Sequence, residues 1–192
     1  MPPPAQERTL SPHQLTLLNS ATPAAATAAL LTCCGSRRWA RRVAAHRPYP
    51  DLEALLAASD EAAYDMSPAD LTEALAREPL DPGIPHRAAG HATRTAAHTA
   101  LRAAHAAYES RFGHTFVICL DDVAPDEALD HLLSGIRSRL GNDPEDERAI
   151  AAEEMRRLAR GRLARLTPET AVPPASRAIR AQTHPDSPYV PV

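Results

Sequence analysis

Residues 111–166 read RFGHTFVICLDDVAPDEALDHLLSGIRSRLGNDPEDERAIAAEEMRRLARGRLARL, and the periodicity of this stretch decides the fold. Leu129, Leu132, Leu133, Ile136 and Leu140 recur in helical register, with Gly141 placed to close that helix as its C′ residue. A second helix follows, acidic at its start (Asp143, Glu145, Asp146, Glu147) and basic at its end, which complements the helix dipole. The preceding apolar run, Phe116 to Leu120, fits either a short buried strand or an extended core segment. On the last helix, at roughly 100° per residue, Ala151, Met155, Leu158, Ala159 and Leu166 form one apolar stripe. Arg162 falls near the centre of that stripe, and Arg148 lies on it as well. A guanidinium aimed at a core is costly unless an anion meets it. The position therefore marks an anion site, or else the side chain snorkels out or pairs with an internal carboxylate.

Working outward, the rest of the chain also reads as helices. Ser11-Pro12 and Ser67-Pro68 are caps followed by proline at the first helical position. An alanine-rich helix is predicted from Thr22 to Cys34, and Gly35 breaks the chain before a short helix carrying Trp39 and Val43. Leu52, Leu55, Leu56 and Ala63 share one face of the next. EPLDPGIP (78–85) must be a loop, and a long helix runs from about Ala88 to Tyr108. Proline-rich tails at 1–10 and 168–192 complete the chain. The expected fold is an all-α, single-domain, multi-helix bundle over residues 11–167, with flexible proline-rich tails at both ends.

Composition narrows the function. Apolar residues make up 44% of the chain but aromatics only 4%, a balance that suits packed helices better than sheets. A net charge of −3 argues against a nucleic-acid partner. MPPPAQERTL lacks an apolar signal core, and no stretch approaches the roughly 20 apolar residues of a membrane span, so a soluble cytoplasmic protein is expected. Cys33, Cys34 and Cys119 are odd in number and not spaced as zinc ligands, so neither a disulfide framework nor a metal site is expected. Cys33 and Cys34, flanked by leucine and alanine, read as buried packing thiols.

Two other clusters read as structural. His91, His98 and His105 recur every seven residues, a rise of about 10.5 Å, which is too far for two imidazoles to share a metal. They read as histidines at the border of an alanine-rich helix. Arg37, Arg38, Arg41 and Arg42 surround Trp39 and Val43 on a short helix, the pattern of a solvated face around an apolar anchor.

CCGSRRWA (33–40), YESRFGHTFVIC (108–119), RLGNDPEDE (139–147) and the closing RLARL together resemble the 2-oxo-4-hydroxy-4-carboxy-5-ureidoimidazoline (OHCU) decarboxylase family, over about residues 12–166. The resemblance implies an all-α bundle, often dimeric, so that a homodimer is admissible here. It also implies cofactor-independent decarboxylation of a small anionic substrate to (S)-allantoin, late in urate and purine breakdown. The family's arginine near the end of its last helix contacts the substrate, and Arg162 matches it. Its FVIC segment offers main-chain groups to the substrate, matched by Phe116, Val117, Ile118 and Cys119.

The family's catalytic residues do not carry over. The family has a histidine followed by proline, and a glutamate just before the long helix. Here the corresponding stretch is AREPLDPGIPHRAAG. The histidine position reads Glu78, followed by a retained Pro79, and the glutamate position falls near His86. The expectation that keeps an enzyme is an exchanged carboxylate–imidazole pair, Glu78 with His86, beside a substrate site that includes Pro79. The alternative is a family member that binds a small anionic ureido-heterocycle without turning it over.

Overall fold

The computed structural model describes residues 12–79 and 91–166. These residues hold eight helices: α1 (Pro12–Ser20), α2 (Pro23–Leu30), α3 (Arg37–Ala45), α4 (Leu52–Tyr64), α5 (Pro68–Leu75), α6 (His91–Phe112), α7 (Ala128–Arg139) and α8 (Pro144–Ala164). No strand occurs among the described residues, and Phe116–Leu120 is the extended core segment rather than the strand. The two tails and Ser11 lie outside the described residues. No described helix is long and apolar enough to cross a membrane.

Short polar side chains start the helices. Thr22, Ser36, Asp51 and Asp143 each accept a hydrogen bond from a first-turn backbone N–H, and Ser67 with Asp70 forms a capping box. Proline follows the cap in α2, α5 and α8.

Three ends differ from the sequence reading. α2 stops at Leu30 rather than running to Cys34, because the Thr32 hydroxyl and the Thr32 and Cys33 N–H groups fold back onto the Ala29 and Leu30 carbonyls. That turn takes the Cys33 carbonyl out of any helix and leaves it free for a distant partner. α6 continues one turn past Tyr108, to Gly113, whose φ of 72° is the left-handed conformation that glycine tolerates. Gly141 follows α7 as expected but without a positive φ. Instead the Asn142 N–H bonds the Arg139 carbonyl, and the Asn142 side chain turns inward.

The core has two parts. The larger joins α1–α5 and α8 around Trp39, Leu30, Leu55, Met155 and Leu163. Trp39 is fully buried, and its indole N–H donates to the Ser59 carbonyl at 3.1 Å. The smaller part joins α6, α7 and Phe116.

Between the two parts lies a buried ion pair. Arg139, at the end of α7, donates to Glu147 on α8 at 2.8 and 2.6 Å, and to the Val117 carbonyl at 2.8 Å. Tyr108 of α6 and Asn142 also donate to Glu147. The Arg139 guanidinium lies 4.4 Å from the Phe116 ring centroid, so its face is covered as well as its edge. Glu147 is fully buried. Burial pushes its carboxyl up, but the hydrogen bonds from Arg139, Tyr108 and Asn142 outweigh this and hold it below the usual carboxylate range.

Replacing one partner of such a pair leaves the other charged and buried. Glu147→Gln is expected to cost about 3–5 kcal/mol in urea unfolding. The pH dependence has a definite sign. Because the folded-state pKa is depressed, the pair's contribution is complete above the ordinary value of 4.5 and is lost as pH falls through the lower folded value. Stability lost below about pH 4.5 should therefore be smaller in Glu147→Gln than in the parent, as measured by unfolding at stepped pH.

Candidate functional site

Arg162 sits in the last turns of α8, between Ala159 and Leu163, both buried. The side chain is half-buried and does not enter the apolar core bare. Its two terminal nitrogens each donate to one oxygen of Glu78, at 2.7 and 2.6 Å, and Nη1 also donates to the Cys33 carbonyl at 3.1 Å. This is the end-on, two-bond geometry that a guanidinium prefers with a carboxylate. Glu78 is the more buried partner, with its side chain 7% exposed against 29% for Arg162. The bonds to Glu78 push the Arg162 pKa up, against the opposing effect of burial.

The internal-carboxylate alternative is therefore the arrangement observed, and the carboxylate is Glu78 itself. Glu78 lies just past the end of α5, its N–H bonded to the Leu75 carbonyl. Pro79 follows it and is exposed. His86, proposed as its partner, lies outside the described residues, as do the side chains of His91 and His98. Arg148, on the same stripe as Arg162, is exposed and has no ion-pair partner among the described residues.

Gly35 governs how these groups meet. A Cβ placed there would come within 2.9 Å of the Arg77 Cβ and 3.1 Å of the Ala74 carbonyl. The turn bearing Cys33 thus packs directly on the end of α5 that bears Glu78.

The Phe116–Cys119 segment is clamped along α8. Val117 gives its carbonyl to Arg139, and Cys119 gives its N–H to Glu154 at 2.6 Å. Ile118 packs over Gly135 of α7. Beyond it, Asp122 meets Arg157, and Asp121 meets Arg165 at 2.9 Å. The chain after Cys119 therefore lies beside the turns of α8 that carry Arg162. Two of the segment's main-chain groups, the Val117 carbonyl and the Cys119 N–H, are engaged inside the protein. The sequence reading gave Glu147 only to the helix dipole and assigned no role to Arg139, Tyr108, Asn142 or Glu154; together these hold the segment in place.

A cavity of about 440 Å³ lies elsewhere, between α4, α5 and the first half of α8, lined by Met66, Leu71, Arg148, Ala152 and Arg156 among others. It does not include Arg162 or Glu78. The α3 arginines form a solvated, paired face: Arg37 with Glu73, Arg38 with Asp70 and Arg42 with Asp65, around buried Trp39 and Val43. Among the described residues, no three metal-ligating side chains converge.

The model for the family described as OHCU decarboxylase matches residues 19–80 and 85–164, most of the chain. The chain belongs to the OHCU decarboxylase family. The match breaks between residues 80 and 85, inside the proline-rich stretch that follows Glu78. Among solved structures, the chain resembles OHCU decarboxylase crystallised in the presence of (S)-allantoin. That likeness has a TM-score of 0.58 and 22% identity, and covers 71% of this chain and 94% of that one. It also resembles (S)-allantoin synthase, with a TM-score of 0.56 and 18% identity over 78% of this chain, spanning about half (52%) of the synthase. At these identities the two structures show the shared fold. No curated protein sequence matches the chain.

Cys33 and Cys34 are buried and unpaired with each other, and burial pushes each thiol up to about 11. Both should react with a disulfide reagent such as Ellman's only as fast as the protein opens. Complete labelling of native protein in the mixing time would contradict their placement.

Proposed function

We propose that this family member decarboxylates 2-oxo-4-hydroxy-4-carboxy-5-ureidoimidazoline to (S)-allantoin without a cofactor. The observation that carries the reading is the Arg162 fork: a half-buried guanidinium, braced by the Cys33 carbonyl and already closed end-on upon a carboxylate. It is a site whose geometry accepts one carboxylate in a fixed plane.

The chemistry asks little more of the protein than orientation and a proton. The bond from the ring carbon to the carboxylate breaks, CO2 leaves, and the electron pair moves into the adjacent C=N bond. The pair comes to rest on the ring nitrogen of that bond, which takes up one proton; the enol so formed then takes a proton on the neighbouring ring carbon, while its hydroxyl gives up its proton and becomes the carbonyl of allantoin. Two parallel hydrogen bonds from Arg162 would set the plane of the departing carboxylate against the C=N system. Delivering the proton to one face only would give the S product, and that task falls to Glu78 with His86.

A second reading has its own observation. The position that holds histidine in the family holds a carboxylate here, and that carboxylate occupies the arginine. A member that binds an anionic ureido-heterocycle without turnover would look the same at these atoms.

Freshly generated substrate, added to purified protein and followed by the optical activity of the allantoin formed, separates the two. The enzyme reading expects S product well above the spontaneous rate. It also expects a loss of about 100-fold in kcat/KM for Arg162→Gln, the scale of a misplaced substrate. Racemic product at the spontaneous rate would remove the decarboxylase and leave the binding protein.

A further inference from the structure

We propose that Glu78 is an internal occupant of the substrate's carboxylate site, so that ligand and Glu78 exchange places on Arg162. The proposal rests on the reading above that Arg162 is the anchor for the ligand's carboxylate.

Three observations carry it. First, the end of the guanidinium is saturated. Nη1 donates to Glu78 and to Cys33, and Nη2 donates to the second Glu78 oxygen. A ligand carboxylate cannot take the same end-on position while Glu78 holds it. Joining at the remaining edge would set two anions against one cation in a half-buried site, where their repulsion is poorly screened.

Second, the cation is held independently of Glu78. The Cys33 carbonyl, in the turn after α2, braces Nη1, and Ala159 and Leu163 bury the helix face beneath. Removal of Glu78 leaves an arginine already placed for a ligand.

Third, among the described residues the Glu78 carboxylate depends on Arg162 for its hydrogen bonds. It follows the C-terminal end of α5, where the helix dipole disfavours a negative charge. Apart from Arg162, no described group bonds its carboxylate. Its backbone N–H bonds the Leu75 carbonyl.

Exchange has a chemical consequence. The displaced carboxylate stays tethered beside the ring whose carboxylate expelled it. There its two oxygens are no longer occupied by the guanidinium. Binding would thus bring Glu78 into position for the proton transfer.

The test compares two stable probes, orotate and uracil, which share a ring and differ by one carboxylate. Calorimetry should show Glu78→Gln binding orotate at least about tenfold tighter than the parent, because a neutral amide is a weaker competitor for the fork. Uracil affinity should not change. Glu78→Asp keeps the charge but shortens the reach, so it should fall between the two; it also keeps the test alive if the amide variant does not fold. Arg162→Gln should erase the preference for orotate over uracil. Orotate affinity that is unchanged or weaker in both Glu78 variants, yet lost in Arg162→Gln, would overturn the exchange and leave the anchor standing. Orotate affinity indifferent to Arg162→Gln, or no orotate binding by any form, would remove the anchor and the exchange together.

Discussion

The buried contact between Arg139 and Glu147 is the constraint on which the rest of the structure depends. It brings together α6 through Tyr108, the end of α7, the start of α8 and the Val117 carbonyl of the extended segment. Each of those groups would be stranded without the others: a charged guanidinium, a carboxylate, a phenol and a main-chain carbonyl, all away from water. The pair is best understood as a device of register. It fixes where α8 begins relative to α7, and hence which turn of α8 faces the end of α5. The position of Arg162 follows from that.

The protein thus uses arginine twice for different ends. Arg139 is closed into a network that satisfies its edges and covers one face with Phe116. Arg162 is met by a main-chain carbonyl and by one side chain, Glu78, from just past the end of α5. The first arrangement leaves no room for a visitor. The second, 29% exposed, does.

The fold was largely legible in the sequence, since period, caps and proline placement all pointed to helices, and the observed elements follow them. Ends were less so. Whether α2 runs to Cys34 depends on Thr32 choosing a carbonyl behind it, a choice that periodicity does not encode. The missed network had a visible signal. Counted from Leu132, Arg139 falls on the apolar stripe of α7 just as Arg162 falls on that of α8, and the same argument would have singled it out. Its partner was harder to find, because Glu147 sits in an acidic first turn that the helix dipole already explains. At the site, the residue types at 78 and 162 were readable, whereas their contact joins the ends of two helices far apart in sequence and could only be seen in three dimensions.

Gly35 gives the site an unusual dependence. Both groups that hold Arg162, the Cys33 carbonyl and Glu78, belong to segments pressed together at a residue with no side chain. The aim of Arg162 is therefore set by a close approach, and its calibration lies outside both residues that bond the guanidinium. Even a methyl group at that point would act as a wedge, separating the carbonyl brace from the carboxylate arm. Two jaws adjusted from one hinge can be spoiled together, and variation at position 35 would redirect Arg162 without altering a single atom that bonds it.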